Sequence, residues 1–162
     1  MKPGRPARAG LLTVVLTANL LLAQGSPRVT EWGIHATLTT ADSSRLGLVA
    51  GPRFAVRSLG GTRLALSLGA GVRGDRATGR GEAALEYLFS PRAARRFSIY
   101  GGGGLAGVVG SGEGGYLLVY LGVERSPGLP AGWAVEVGLG GGFRVRAAYH
   151  WRRFPPGWRA RQ

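Results

Sequence analysis

The sequence predicts an all-β chain, folded as an eight-stranded antiparallel up-and-down barrel. Three observations predict it. From residue 30 onward, apolar residues recur with period two, the period of a strand. Eight such runs follow one another. Every connection between them is of hairpin length, so strands adjacent in sequence are antiparallel neighbours.

The chain opens on a different pattern. Residues 1–25 read MKPGRPARAGLLTVVLTANLLLAQG. Lys2, Arg5 and Arg8 form a positive start, Leu11 to Ala23 a short apolar run, and Ala23-Gln24-Gly25 a small-residue cleavage site. This is the layout of a secretory signal peptide, and the apolar run is short for a bilayer-spanning helix. An uncleaved anchor helix is the alternative reading.

Strand 1, about 30–39, carries Trp32, Ile34, Ala36 and Leu38 on one face. Strand 2, about 45–57, carries Leu46, Leu48, Ala50, Pro52, Phe54 and Val56, with Pro52 unable to donate to a ladder. Strand 3, about 63–73, carries Leu64, Leu66, Leu68, Ala70 and Val72. Strand 4, about 80–89, carries Ala83, Leu85, Tyr87 and Phe89. Strand 5, about 97–109, carries Phe97, Ile99, Gly101, Gly103, Leu105, Gly107 and Val109. Strand 6, about 115–125, carries Leu117, Val119, Leu121 and Val123. Strand 7, about 132–139, carries Trp133, Val135, Val137 and Leu139. Strand 8, about 143–153, carries Phe143, Val145, Ala147, Tyr149 and Trp151. The pieces between them, such as TADSSR, SLGGT, GDRAT and GSGEG, are rich in turn residues.

The opposite face is polar. Parity places Glu31, His35, Arg53, Arg57, Arg63, Ser67, Arg73, Arg80, Glu82, Glu86, Tyr100, Tyr116, Tyr120, Glu124, Glu136, Arg144, Arg146, His150 and Arg152 on it. Two architectures fit. In a soluble barrel the apolar face turns inward and the polar face meets water. In a membrane barrel the apolar face meets lipid and the polar face fills the lumen.

Three features favour the membrane: the signal peptide, the acids and the aromatics. Five acids fall on the polar face, where they can pair with interior arginines. The other three, Asp42, Asp75 and Glu113, fall in alternate loops at one end. Trp32, Phe54, Tyr87, Phe89, Phe97, Trp133, Tyr149 and Trp151 all lie near one set of strand ends, facing out. Amphipathic rings sort to a membrane interface in this way. If strand 1 starts in the periplasm, they form a periplasmic girdle. The predicted fold is therefore an eight-stranded antiparallel transmembrane barrel after a cleaved signal peptide. The barrel covers 29–154, and residues 155–162 form a short periplasmic tail.

This layout resembles the small outer-membrane β-barrels of the OmpA/OmpX/OmpW type. The resemblance rests on the signal peptide, the eight strands and the last-strand pattern Val145-x-Ala147-x-Tyr149-x-Trp151. That pattern is similar to the aromatic signal read by the barrel-assembly machinery, although here the chain continues through FPPGWRARQ. The resemblance implies an outer-membrane location, with outer-membrane lipid and the assembly machinery as partners.

Composition limits the chemistry. The 162 residues contain no cysteine, which excludes disulfides and thiolate chemistry. The net charge is +13, nearly all of it arginine, Lys2 being the only lysine. These arginines form no single basic run, so no nucleic acid is expected as a partner. Gly102, Gly104 and Gly107 match G-x-G-x-x-G, but no helix follows them, and the dinucleotide reading fails on context. They belong to strand 5, IYGGGGLAGVVG, whose thin outer face is expected to offer a protein contact.

The lumen network is expected to comprise Glu31, His35, Arg53, Arg73, Glu82, Glu86, Tyr100, Tyr120, Glu124, Glu136, Arg144, Arg146 and His150. Its expected role is packing and stability, because an eight-stranded interior is filled by side chains. No catalytic residue, metal or cofactor is expected. His35 and His150 lie near the same end of strands 1 and 8, so they can approach each other. Two alternatives remain: a lipid-modifying outer-membrane enzyme built on that pair, and a soluble secreted barrel that binds an apolar ligand.

Overall fold

The computed structural model describes residues 27–41, 45–94 and 96–160. The signal-peptide segment, Asp42, Ser43 and Ser44 lie outside the described residues. The described chain forms eight strands: β1 Arg28–Ala41, β2 Arg45–Ser58, β3 Thr62–Arg73, β4 Arg76–Leu88, β5 Phe97–Gly110, β6 Gly114–Arg125, β7 Ala131–Leu139 and β8 Phe143–Arg153. They pair antiparallel in sequence order and close into a barrel. Closure runs along β1 and β8, from Thr30↔Arg153 to Thr40↔Phe143. No sheet edge is left open, so every strand has two hydrogen-bonded neighbours.

The largest departure from the sequence reading is the start of β4, four residues earlier than expected. The breakers in GDRAT place the turn between about residues 73 and 80 in the sequence. Instead Arg73 pairs with Arg76, so the connection is only Gly74-Asp75. Gly74 takes φ 63°, and glycine at the first central position is what a tight type II′ hairpin requires. Pro52 leaves its expected mark. The β2–β3 ladder pairs Ala50 with Ala70, then resumes at Arg53↔Ser67. On its other side, Pro52 faces Ile34 of β1.

Burial alternates along each strand, and its sense is inverted relative to a soluble core. Leu66, Leu68, Val119, Leu121 and Leu139 are exposed on the outer wall. Arg57, Arg63, Arg144, Glu86, Glu124 and Glu136 are among the most completely buried side chains. Strand lengths of 9 to 14 residues are compatible with the ~9–11 residues a tilted strand needs to cross a bilayer. The turns at 59–61, 89–96 and 126–130 lie at the same end as both described termini, here called the terminal end.

Candidate functional site

Among the described residues, the interior holds seven buried arginines and five buried glutamates, and these form one connected network in three tiers. In the tier nearest the terminal end, Arg63 is the hub. Its Nη1 donates to Glu31 at 3.0 Å and to Glu124 at 2.7 Å, and its Nε pairs with Glu86. Arg57 approaches Glu31 at 2.9 Å, and Arg152 pairs with Glu124.

The middle tier is built on Arg53, which donates to Glu86 at 2.5 Å and to Glu136 at 3.0 Å. Tyr120 donates to Glu86 at 2.6 Å, and Tyr100 to Glu136 at 2.9 Å. Arg144 donates to the other oxygen of Glu136 at 2.7 Å. In the far tier, Glu82 accepts from Arg80 at 2.5 Å and pairs with Arg146, whose Nε also donates to Thr37 at 2.8 Å.

Arginines outnumber glutamates, and the additional guanidinium donors reach backbone carbonyls. Arg57 donates to Pro91 and Pro127 at 3.0 and 2.8 Å, and Arg152 to Leu129 at 3.1 Å. Arg80 donates to Gly140 at 2.8 Å. The lumen network therefore also fastens turns at both ends. Arg63 and Arg144 each stack over a tyrosine ring, Tyr100 at 4.9 Å and Tyr120 at 4.8 Å, a distance at which a cation gains from the ring quadrupole.

Strand β5 brings no charge into this interior. Its inward face is Ser98, Tyr100, Gly102, Gly104, Ala106 and Val108. Tyr100 pairs across the ladder with Gly122, and Gly102 with Tyr120. Each tyrosine lies over the glycine opposite it. A Cβ on Gly102 would come within 2.7 Å of the Tyr120 ring, and one on Gly122 would overlap the Tyr100 ring. Outside, Gly107 has no neighbour within 4 Å of a would-be Cβ, whereas Gly101 is covered by Leu121 at 3.3 Å.

Of the expected network, Glu31, His35, Arg53, Glu82, Glu86, Tyr100, Tyr120, Glu124, Glu136, Arg144, Arg146 and His150 are all buried. Arg73 is the exception. It ends β3 at the mouth of the barrel, is only half-buried and joins none of the ion pairs among the described residues. Its side chain instead fills the space beside Gly112, where the β5–β6 turn crosses the mouth. Four arginines not assigned to the network from sequence, Arg57, Arg63, Arg80 and Arg152, belong to it. Parity alone put them inside. Leu88 and Leu118 are also fully buried in the lumen and pack with the two tyrosines.

The two histidines are diagonal neighbours on the β1–β8 ladder, and no hydrogen bond joins them. The register sets Gly33 opposite His150 and His35 opposite Ala148. His150 turns toward Glu31, at 4.0 Å, while His35 points to Gly69. Glu31, Glu124 and His150 do offer ligand atoms within 4.8 Å of one another. Arg57, Arg63 and Arg152 already engage those carboxylates, so a cation there would face three guanidinium groups. The interior space beside Arg80 and Tyr116 measures about 20 Å³, enough for about one water molecule.

On the outer wall, Trp32, Phe54, Tyr87, Phe89, Phe97, Trp133 and Tyr149 are exposed. Trp151 is half-buried, stacked on Trp32 at 4.5 Å across the β1–β8 seam. Phe97 meets Trp133 edge-on at 5.7 Å. The tail continues this cluster beneath the barrel. Phe154 stacks on Trp158 at 4.6 Å, and Trp158 Nε1 donates to Gly128 at 3.0 Å. Sequence reading left this tail without structure, because FPPGW has no period to read.

Fold and site together define the class: a closed eight-stranded antiparallel barrel with an apolar outer wall and an ion-paired interior. No protein-family model and no curated protein matches the chain.

Proposed function

We propose that this chain is an integral outer-membrane barrel of the OmpA/OmpX/OmpW kind, exported by its N-terminal segment and serving a structural or interaction role in the envelope. One observation carries the reading: the barrel is polar inside and apolar outside. In water, this arrangement would expose many large apolar side chains, which soluble monomers avoid in contiguous patches. In lipid, the same surface is the solvent-matched one, and closure satisfies the backbone. The aromatic ring at the terminal end supports a seat at a membrane interface.

The filled interior supports a role other than conduction. No hydrogen bond joins His35 and His150, and we assign no catalytic step. The ionic interior disfavours the alternative of a soluble apolar-ligand carrier. Outer-membrane lipid and the assembly machinery that reads Tyr149 and Trp151 are the expected partners, with a protein contact on the thin outer face of β5. Nucleic acid is not among them.

Fractionation with carbonate washing tests the location. The chain should stay with the membrane and migrate faster unheated than boiled on a gel. Release into the wash would remove the membrane reading.

A further inference from the structure

Among the described residues, the acids outside the lumen are confined to one end, where Arg73 and Arg76 flank Asp75, and the terminal end carries only cations outside the lumen. Arg92, Arg96, Arg125, Arg153 and Arg159 stand exposed or half-exposed at the terminal end. The described acids outside the lumen, Asp75 and Glu113, stand at the other end, in the Arg73–Arg76 and Gly110–Gly114 connections. A groove of about 460 Å³ opens within this basic end, lined by Leu59, Phe89, Pro91, Arg92 and Arg96 among others. Its position joins two chemistries. Phe89 belongs to the outward aromatic ring and is 68% exposed. Arg92 and Arg96 lie past it, beyond the end of β4.

The groove is also held in shape. Arg92 stacks over Trp158 at 5.4 Å, and Trp158 is fixed by its bond to Gly128. The turn carrying both arginines is fastened to the next one: Gly128 N–H donates to Ala93 at 2.8 Å, and Ser126 N–H donates to Arg96 at 3.1 Å. The backbone carrying both cations and the Arg92 side chain are therefore already ordered before an anion arrives.

We propose that this groove binds one anionic glycerophospholipid, its phosphate received between Arg92 and Arg96 and its glycerol and acyl start laid on Leu59 and Phe89. This rests on the membrane reading and extends it. Two cations lining one groove, with an apolar strip beside them, match an amphiphile with a charged head. Arginine suits a phosphate because its planar fork can give two parallel hydrogen bonds. A free phosphate would use the arginines and leave the apolar strip idle.

The test uses the full chain refolded into nanodiscs of phosphatidylcholine mixed with phosphatidylglycerol, with retained lipid read by native mass spectrometry. The chain should retain phosphatidylglycerol preferentially. Arg92→Gln with Arg96→Gln should lower that preference about 30-fold, given about 1 kcal/mol for each basic residue near an anionic surface. Arg92→Lys with Arg96→Lys should keep most of it, and Arg125→Gln with Arg153→Gln should leave it intact. Equal losses in the two glutamine pairs would show a diffuse charge effect and overturn the site. An unchanged preference in the Arg92/Arg96 pair would do the same, as would inorganic phosphate competing as well as the lipid. A chain that inserts and shows no anionic preference refutes the groove alone, whereas a chain that fails to insert into any bilayer refutes both readings.

Discussion

Tyr100 lies flat across Gly122, and a Cβ at residue 122 would overlap its ring. The reciprocal pair, Tyr120 over Gly102, sits one step along the same ladder. The two glycines provide the depth that lets both phenols cross the lumen to Glu136 and Glu86. The run of glycines in β5 is thus an interior requirement at Gly102 and an open outer surface at Gly107.

Gly122→Ala and Gly102→Ala should each displace a tyrosine and cost roughly 1–3 kcal/mol, the usual range for overpacking. Gly107→Ala, with open space around it, should stay within about 0.5 kcal/mol of the parent. Urea unfolding of the refolded barrel in lipid vesicles measures the difference. Equal effects at all three positions would contradict the interlocked tyrosines.

Arg63 touches three glutamates, so its loss leaves three buried carboxylates short of a donor. Arg63→Met should destabilise the barrel by about 3–5 kcal/mol, the cost of removing one partner from a buried pair. Arg63→Lys should fall between, because it keeps the charge and loses the planar fork. Adding Glu124→Gln to Arg63→Met should recover part of the loss, which the same unfolding assay reads as a coupling energy.

Trp32 and Trp151 stack where the first strand meets the last. A double-mutant cycle with alanine at both should give a coupling of about 0.5–1.5 kcal/mol, the worth of an aromatic pair beyond its area. Additive losses would mean that the stack contributes nothing to closure.

The filled lumen predicts an electrical outcome. Full-length barrels in a planar bilayer should show no steady large unit currents, since side chains occupy the interior of an eight-stranded barrel. Steady conductance in the parent chain would contradict the ion-paired packing seen around Arg53, Glu86 and Glu136.

Much of this was legible because one period governs the chain. Alternation alone separated Leu66 and Leu121 from Arg63 and Tyr120, and hairpin-length connections fixed the strand order. Parity says which way a side chain points and not how far it reaches, so the hub role of Arg63 could not be read. It depends on tilt and register bringing Glu31, Glu86 and Glu124, from three other strands, around one guanidinium. For the same reason Arg73 appeared interior: its parity is inward, but its position at the last rung of β3 puts it at the mouth. Adjoining strands allowed the two histidines to approach each other. They are diagonal neighbours on the β1–β8 ladder, but no hydrogen bond joins them, and each ring turns to a different neighbour, Glu31 or Gly69. The tail was illegible because its order comes from rings and carbonyls on two turns, which leave no periodic trace.

The central claim is that the apolar face meets lipid and the charged face does not. The chain lacks cysteine, so single cysteines can be introduced without background. Spin labels at Leu66, Leu68, Leu121 and Val123, with the barrel in vesicles, can be probed by collision with oxygen and with a water-soluble nickel chelate. All four labels should collide freely with oxygen and be shielded from the chelate. Labels open to the chelate and shielded from oxygen would place this face in water and contradict the account.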